Sequence, residues 1–581
     1  MVKRTKDTTI DALKQTTLAA GTTHLNPSAI ETINSAVNDL QNFKLKNGIH
    51  LEKSSCSEII PLELAMKWVE ITTSSLASDM FIGLVDKSLL KIVPHVINSP
   101  HVQLERSLVV VYYAFLFLGC AVSCPSETTK FLPTIYLKCL EAVPRWQKHA
   151  KGDLLDLVAA TLMTWVAVEY FDYHLSWKFH CEACRFAHIL GINQIDDTNQ
   201  CDRVGEDIEV EIKRKGFWQL MRTEMLFRLY YNKPPVLTAI SWTVRFPSVM
   251  TPLSSSNSAS ICTPDATTTI VFIVSSRITL LKMEFLSQLE LHHQSGNDED
   301  ESTQALHGQI DHICDQIEDL MREWKIMDWV EWADNAISKS VFAGLVIDAY
   351  SCIILMNRKK FREDEFAVSE RVVRAARMVL KAIFASSQQP TRSVSGMLHF
   401  ISFYPFVALF SLYYHVVVTG EDPEVSEEDL RDLERLREIV SHAAINRDEL
   451  TPVANALMVL NGVCRILQDR RTSRLSTQTL TEISSPSSTL IQEELMNRIT
   501  PGTVTPGTAC AVAPVQAQML PFNAELGTPL SHGTSAAGNP LEYMREMESD
   551  FVSRNWHDSW WNIVEPAMAD ESSRTAEGQG N

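Results

Sequence analysis

The sequence predicts an all-α protein, with one large multi-helix domain, a disordered tail rich in Ser, Thr, Pro and Gly, and a short amphipathic C-terminal helix. Apolar residues recur at intervals of three and four from Pro61 to Arg470, whereas no convincing run alternates as a strand would. Hydrophobic residues make up 45% of the chain, an ordinary share for a globular protein. The composition after Arg470 indicates a segment that buries too little apolar surface to fold.

These patterns divide the 581 residues into four segments. Residues 1–58 are polar and include one predicted helix, and residues 59–470 form the helical domain. Residues 471–540 are the predicted disordered linker, and residues 541–568 form an acidic and aromatic segment. The N-terminus has no apolar core region, so no signal peptide is expected.

The first half of the domain is predicted as short helices followed by a longer one. Prolines interrupt the apolar stretches, and we expect helix breaks at Pro94, Pro100, Pro125, Pro133 and Pro144. The longer helix is expected from Gly152 through Tyr173, where Leu and Val recur at threes and fours. Ile270–Val274 is the best strand candidate, but its continuation favours a helix.

Polar loops and apolar stripes organise the second half. Loops are expected at residues 251–266 and 294–303, the latter containing an acidic run. The next helix carries a stripe of Leu306, Ile310, Ile313, Ile317 and Leu320. Ser426 is predicted to begin a helix with acidic residues in its first turn. Its stripe is Leu430, Leu433, Leu436 and Val440. The last helix is expected from Thr451 to about Arg470.

Charge and cysteine content limit the class of protein. The formal net charge is -19, and so acidic a chain repels the phosphates of nucleic acid. Any contact with DNA would need a local basic patch or a partner. The 12 cysteines are scattered without a disulfide framework, which suits a reducing compartment.

Two uncharged stretches are long enough to be compared with membrane spans. Ser107–Ser126 contains only a short apolar run and ends in Ser-Cys-Pro-Ser. Phe400–Thr419 includes Pro405 and His415 and has no basic flanks. We interpret both as buried core helices and expect no membrane partner.

Signature motifs of several large enzyme classes are absent from the sequence. It has no GxGxxG after a strand, no GxxxxGK[ST], no HExxH and no GxSxG. We therefore predict that the protein is not an enzyme and has no catalytic residue and no cofactor. An enzyme of unrecognised class stays as a less favoured alternative.

One C-x2-C pair, Cys181 and Cys184, is flanked by His180 and His188, a set that could supply a mononuclear zinc site. The stretch has the pattern of one helix, whereas C-x2-C zinc ligands normally lie on a turn. Buried thiols are favoured, and no residue is predicted to bind a metal.

The predicted helix Glu370–Phe384 places four basic residues along one face. They are Arg371, Arg374, Arg377 and Lys381. The stripe could contact phosphate or an acidic partner, or it could be the solvated face of a helix whose opposite face is apolar. The second interpretation is favoured.

Residues Lys215 to Pro235 read KGFWQLMRTEMLFRLYYNKPP and predict a helix that ends abruptly. Asn232 suits a left-handed helix C-cap, and the prolines after it forbid further helix. The residues that define this pattern are Phe217, Trp218, Glu224, Asn232, Lys233 and Pro234.

This helix resembles the signature of the fungus-specific transcription factor domain, the middle homology region of zinc-cluster gene regulators. Phe217-Trp218 match its aromatic pair and Glu224 its acid, and Asn232-Lys233-Pro234 stand in place of Gly-Arg-Pro. Cys184–Gln194 is similar to a helix of the family that ends in a Leu-Gly-Leu turn. His399–Ala444 resembles its late helical pair. The resemblance extends over roughly residues 75 to 470.

The resemblance implies an α-helical regulatory domain that acts in the nucleus on a metabolic or secondary-metabolite gene set in a fungus. The six-cysteine zinc cluster of such regulators is missing, since Cys56 is the first cysteine and stands alone. The protein would then act through a DNA-binding co-regulator, or an N-terminal exon is missing from the gene model, and direct DNA binding stays open. A homodimer or heterodimer is compatible with either.

The C-terminal segment gives a partner-binding hypothesis. It interleaves acidic residues with Phe551, Trp556, Trp560 and Trp561. Acidic residues keep aromatic rings available to a groove of the transcription machinery, as in an activation segment. The alternative is a C-terminal helix that docks its tryptophans onto the helical domain. For the whole chain, a helical scaffold or adaptor without a role in transcription is the alternative to a regulator.

Overall fold

The structure, a computed structural model, confirms the all-α class. It describes residues 59–76, 81–123, 125–196, 208–231, 233–237, 242–247, 266–295, 300–333, 336–360, 369–387, 407–416, 423–445, 447 and 450–478. Of these residues, 84% are helical and none lies in a strand. The predicted helix in residues 1–58, the predicted linker after residue 478 and the segment 541–568 lie outside the described residues.

The first half of the fold is built around α3, which is buried on nearly every side. Its helices are α1 (Leu62–Leu76), α2 (Lys87–Val96), α3 (Arg106–Ala121), α4 (Pro125–Gln147), α5 (Leu154–Glu169), α6 (Tyr173–Ile189) and α7 (Ile208–Tyr231). Short 3₁₀ turns occur at Phe81–Leu84 and Ile192–Gln194. Helix α3 packs against α1, α4 and α5. Trp68, Phe115 and Tyr136 are fully buried in the core that results.

The second half is built around α11 in the same way. Its helices are α8 (Ala266–Ser295), α9 (Asp300–Glu323), α10 (Ile326–Trp332), α11 (Ala336–Arg358), α12 (Glu370–Ser386), α13 (Val407–Tyr414), α14 (Pro423–Ala444) and α15 (Thr451–Gln478). Helix α11 packs against α8, α9, α10, α12 and α13. Both predicted stripes, on α9 and on α14, are buried in this core, which confirms their orientation.

Helix α7 belongs to both cores. Phe217 and Met221 in its first half pack into the core around α3. Phe227 and Tyr231 near its end pack into the core around α11. The helix that carries Phe217, Trp218 and Glu224 therefore connects the two halves of the molecule.

Three of the five predicted helix breaks are wrong. Pro94 lies inside α2, and Pro133 and Pro144 lie inside α4, while Pro125 begins α4 as a first-turn proline can. An internal proline loses a helical hydrogen bond and costs about 3 kcal/mol. Leu132 beside Pro133 is buried in the core, and such tertiary packing offsets the loss.

The helix predicted from Gly152 through Tyr173 is present as α5 but ends earlier, at Glu169, and Tyr173 already begins α6. Asp153 caps α5 in a reciprocal capping box with Asp156, and α5 ends at Glu169. Phe171 then adopts a left-handed φ of 64°, and Asp172 caps α6 by accepting a bond from Leu175 N–H. Aspartate is a favoured N-cap residue, so Asp172 begins a new helix instead of extending α5.

Four other predicted boundaries shift outward. Helix α8 runs to Ser295, and α9 begins at Asp300. The acidic run Asp298–Glu301 therefore lies partly in the first turn of α9, where acidic residues are favourable. Helix α14 begins at Pro423, not at Ser426, since proline suits the first helical position. Helix α15 extends to Gln478, because residues 463–478 include no Pro or Gly that would end it.

Within the described ranges, one helix is long and apolar enough to cross a membrane. Residues 338–358 in α11 are apolar enough, but 78% of the apolar window is buried inside the protein, as in a core helix. The sequence analysis did not single out this segment. Of the two stretches it considered, α3 is buried as predicted, and only residues 407–416 of the second are described.

Candidate functional site

The aromatic pair at the start of the signature anchors a neighbouring segment to α7. Phe217 and Trp218 are both buried. The Trp218 indole N–H donates to the Arg245 carbonyl oxygen over 3.1 Å, and its ring stacks on Phe246 at a centroid distance of 4.3 Å. The pair thus holds residues 242–247 against the helix.

Glu224 joins three parts of the chain. Its carboxylate is fully buried. One oxygen accepts from the N–H groups of Val236 and Leu237, over 2.6 and 3.4 Å. The other lies 2.8 Å from Nε2 of His180 on α6. The acid of the signature therefore fixes the chain that follows the two prolines and ties it to both helices.

The end of the signature turns the chain into that position. Lys233 N–H donates to the Phe227 carbonyl oxygen over 3.1 Å and closes the end of α7. Lys233 is partly buried, and this burial lowers the pKa of its ammonium group. Pro234 is exposed, so it contributes by fixing the backbone conformation and not by packing in the core. Asn232 lies outside the described residues.

A second polar link joins the turn after α6 to α7. The predicted Leu-Gly turn is present, with Gly191 at a φ of 66°. Asp196 beyond it accepts from the Arg214 guanidinium Nε over 3.1 Å and from Arg245 N–H over 2.7 Å. Sequence analysis missed Asp196, because its partners lie 18 and 49 residues away.

His180, Cys184 and Glu224 form a buried cluster at the centre of the α6–α7 junction. Their nearest ligand atoms all lie within 4.8 Å of one another, and Cys184 Sγ is 3.5 Å from His180 Nε2. Three such groups could hold a metal ion. However, metal-bound histidines usually donate their other ring nitrogen to a partner, and His180 Nδ1 is buried without one in the described part of the chain.

Cys181 and Cys184 lie on one helix, as predicted, with Cys184 buried and Cys181 partly so. Burial raises the pKa of Cys184 far above its usual range and that of Cys181 to about 12. In the structure, His180 contacts both Glu224 and Cys184, so the three side chains form a buried polar cluster that joins α6 to α7.

The predicted basic stripe on α12 is solvated in part, because Arg374 and Lys381 are exposed whereas Arg371 and Arg377 are partly buried. Arg371 pairs with Asp311, Asp315 and Glu318 of α9. The other three pairs are Arg374 with Glu370, Arg377 with Asp429, and Lys381 with Glu331. The favoured interpretation, a solvated face opposite an apolar one, is confirmed at Arg374 and Lys381, with the opposite face buried. Arg371 and Arg377 are partly buried instead, in ion pairs that link α12 to α9 and α14.

The deepest of these pairs is the one at Asp429. Its carboxylate is 1% exposed and receives bonds from Arg377 Nε over 2.7 Å and from His415 over 2.9 Å. Burial alone would raise the pKa of Asp429, but the bonds from His415 and Arg377 outweigh it and lower that pKa.

Comparison with known proteins adds no relative. No model of a protein family, no curated protein and no solved structure matches the chain. The C-terminal residues predicted to bind a partner, Phe551, Trp556, Trp560 and Trp561, lie outside the described residues.

Proposed function

We propose that this protein is a nuclear transcription regulator of a metabolic gene set, whose helical body is a regulatory domain. The observation that carries the proposal is the set of contacts of the buried Glu224 carboxylate with His180, Val236 and Leu237. The acid of the signature holds the chain after Pro234, and the signature helix spans both cores. This gives each residue of the pattern that the structure describes a defined structural role.

DNA recognition through a partner protein belongs to the same proposal. The net charge of -19 repels phosphate. Each of the four basic residues of the α12 stripe also forms an ion pair with an acidic residue of the protein. A DNA-binding co-regulator would supply the contacts to bases and phosphates. The acidic aromatic segment 541–568 would then contact the transcription machinery.

The test is a reporter assay with the full chain fused to a heterologous DNA-binding domain. We expect transcription to change relative to the DNA-binding domain alone. Alanine at Phe551, Trp556, Trp560 and Trp561 together should abolish that change. The matched control is Phe522→Ala, a single aromatic residue elsewhere in the tail.

The same variants separate the two interpretations of the tail. If the tryptophans dock onto the helical body, the fourfold variant lowers the melting temperature of the purified protein and leaves the reporter unchanged. A full chain that never changes transcription in fungal cells would contradict the regulator proposal and favour the scaffold interpretation.

A further inference from the structure

The buried cluster of the α6–α7 junction brings three kinds of metal ligand together. His180 and Cys184 lie four residues apart on α6, so they share one face of that helix, and Glu224 meets them from α7. All three side chains are at most 2% exposed. Of the four residues between 180 and 188 that the sequence offered as zinc ligands, the structure therefore joins two with an acid from another helix.

The distances within the cluster suit a small metal ion. Zinc bonds of about 2.0–2.3 Å place neighbouring tetrahedral ligands about 3.3–3.6 Å apart. Cys184 Sγ lies 3.5 Å from His180 Nε2, within that range. His180 Nε2 lies 2.8 Å from Glu224 Oε2, and this separation would lengthen by about 0.5 Å on binding. Small side-chain adjustments are enough to bring the three atoms around one ion.

Hydrogen bonds within the cluster do not satisfy its three groups. Nε2 of His180 faces both the carboxylate and the thiol, and it carries either a proton or a lone pair. If it donates to Glu224, it cannot accept from the Cys184 thiol. If it accepts from the thiol, it cannot donate to the carboxylate. A metal ion removes this conflict, because it takes a lone pair from each of the three atoms.

Charge also favours a cation at this position. Among the described residues, the buried carboxylate of Glu224 forms an ion pair with His180 and with no Lys or Arg. Its other oxygen accepts from the N–H groups of Val236 and Leu237, the kind of outer bond that orients a ligating carboxylate. A divalent cation would balance the buried charge of Glu224.

One feature opposes a metal ion, and it is the smaller effect. With Nε2 of His180 on the metal, the ring proton lies on Nδ1, which is buried without a partner in the described part of the chain. The rings of Trp177 and Phe227 flank this imidazole at centroid distances of 5.6 and 5.4 Å. An unpaired N–H group costs much less free energy than a structural zinc ion contributes.

We propose that His180, Cys184 and Glu224 bind one zinc ion that ties α6 to α7. The ligand atoms are Nε2, Sγ as a thiolate, and Oε2, and the thiol proton passes to solvent when the ion binds. Thiolate and imidazole favour zinc over magnesium or calcium, which prefer oxygen ligands. Three protein ligands leave one coordination position for a water molecule. Because all three side chains are buried, the site stabilises the junction and does not act on a substrate.

The first test measures metal in the full-length protein, purified without chelators. We expect about one zinc ion per chain by mass spectrometry of the elements. After a chelator has removed the zinc, added Co²⁺ should give a thiolate-to-cobalt charge-transfer absorption, which requires a cysteine ligand. Removal of the zinc should also lower the melting temperature, because the site exists only in the folded chain.

Two alanine variants locate the ion. Cys184→Ala should weaken zinc binding more than about tenfold and abolish the cobalt absorption, since even the loss of an outer partner of a zinc ligand costs about tenfold. Cys181→Ala is the matched control, because Cys181 lies on the same helix and is not part of the cluster. It should bind zinc and cobalt as the wild type does, and circular dichroism should show that both variants are folded.

Three results would overturn the proposal. They are a wild type that contains no zinc and takes up no Co²⁺, equal zinc affinity of Cys184→Ala and the wild type, and a cobalt absorption that is lost in Cys181→Ala but kept in Cys184→Ala. If Cys184→Ala does not fold, the metal content and cobalt spectrum of the wild type still decide. The measurements involve neither DNA nor a reporter, so their outcome is independent of the proposed role in transcription.

Discussion

At the scale of single residues, Glu224 shows why a buried acid can belong to a structural signature. A carboxylate accepts from several donors at once, and here they come from α6 and from the chain beyond Pro234. Removing it would leave the backbone N–H of Val236 and the ring of His180 unpaired in the interior. Such groups then cost their full desolvation penalty.

Glu224→Ala should therefore lower the free energy of unfolding by about 3–5 kcal/mol. Glu224→Gln should lose less, because the amide oxygen can still accept from Val236 N–H. The measurement is the urea unfolding of the full chain, monitored by tryptophan fluorescence.

Glu209→Ala is the matched control for this prediction. Glu209 lies on the same helix with its side chain 55% exposed, and it pairs with Lys213 one turn away. Its loss should change stability by less than about 0.5 kcal/mol. Equal effects at Glu224 and Glu209 would show that the buried junction does not stabilise the fold.

At the scale of elements, close helix contacts depend on single glycines. Helices α1 and α3 cross at Gly119, where an added Cβ would lie 2.2 Å from the Trp68 carbonyl oxygen. That contact involves backbone, so only a shift of one helix could relieve it. Gly308 on the exposed face of α9 has nothing within 4 Å of its Cβ position.

Gly119→Ala should lower the free energy of unfolding by about 1–3 kcal/mol through overpacking. Gly308→Ala should instead raise it by about 0.5–1 kcal/mol, since alanine has the higher helix propensity. Thermal unfolding followed by circular dichroism checks both. Stabilisation by Gly119→Ala would contradict the close crossing of α1 and α3.

The arginines of α12 make a second prediction about elements. Arg377→Gln should cost about 1–3 kcal/mol, because the buried carboxylate of Asp429 would lose its guanidinium partner and keep, among the described residues, the hydrogen bond with His415. Arg374 is the control on the same helix, since it is 55% exposed and its partner Glu370 is 85% exposed. Arg374→Gln should cost less than about 0.5 kcal/mol.

The readout is urea unfolding of each variant beside the wild type. If Arg374→Gln were as costly as Arg377→Gln, the link from α12 to α14 through Asp429 would not contribute as described.

At the scale of the whole molecule, the two cores meet around ionisable groups. Glu169 at the end of α5 and Arg447 before α15 line a small cavity together with Phe117 and Leu132. Burial raises the pKa of Glu169 to about 7, although Arg447 opposes the shift. Burial also raises the pKa of nearby Asp172 to about 6, against its bonds from Leu175 N–H and the Tyr136 hydroxyl.

Both shifts predict that stability falls as the pH rises from about 4 to about 7. The folded protein holds these protons over that range, whereas an unfolded carboxyl group loses them near pH 4, so folding loses free energy with rising pH. Above the folded-state pKa values this contribution is constant. For Glu169 we expect a fall of roughly 1–3 kcal/mol.

The check is the melting temperature of the wild type and of Glu169→Gln between pH 5 and pH 8. The variant stays neutral throughout, so its stability should decline less over this range. Parallel pH profiles for the two proteins would contradict the raised pKa of Glu169.

The candidate site was predictable in part. The helix through Phe217, Trp218 and Glu224 and its abrupt end were predictable, because helical period and stop signals are local. Their partners were not predictable, since His180 and Arg245 lie 44 and 27 residues away from the groups they bind. The ion pairs of the α12 stripe were not predictable for the same reason, because most of the acids that pair with its basic residues lie on other helices.

What the sequence by itself determined is the helical class, the apolar stripes of α9, α12 and α14, and the signature helix with its abrupt end. These follow from interactions between residues a few positions apart. Only the tertiary structure decided which prolines stay within helices and which charges are buried as pairs. The ion pair between Lys282 of α8 and Asp348 of α11 is an example, with both side chains almost fully buried. Such pairing depends on packing between distant segments, which no local pattern encodes.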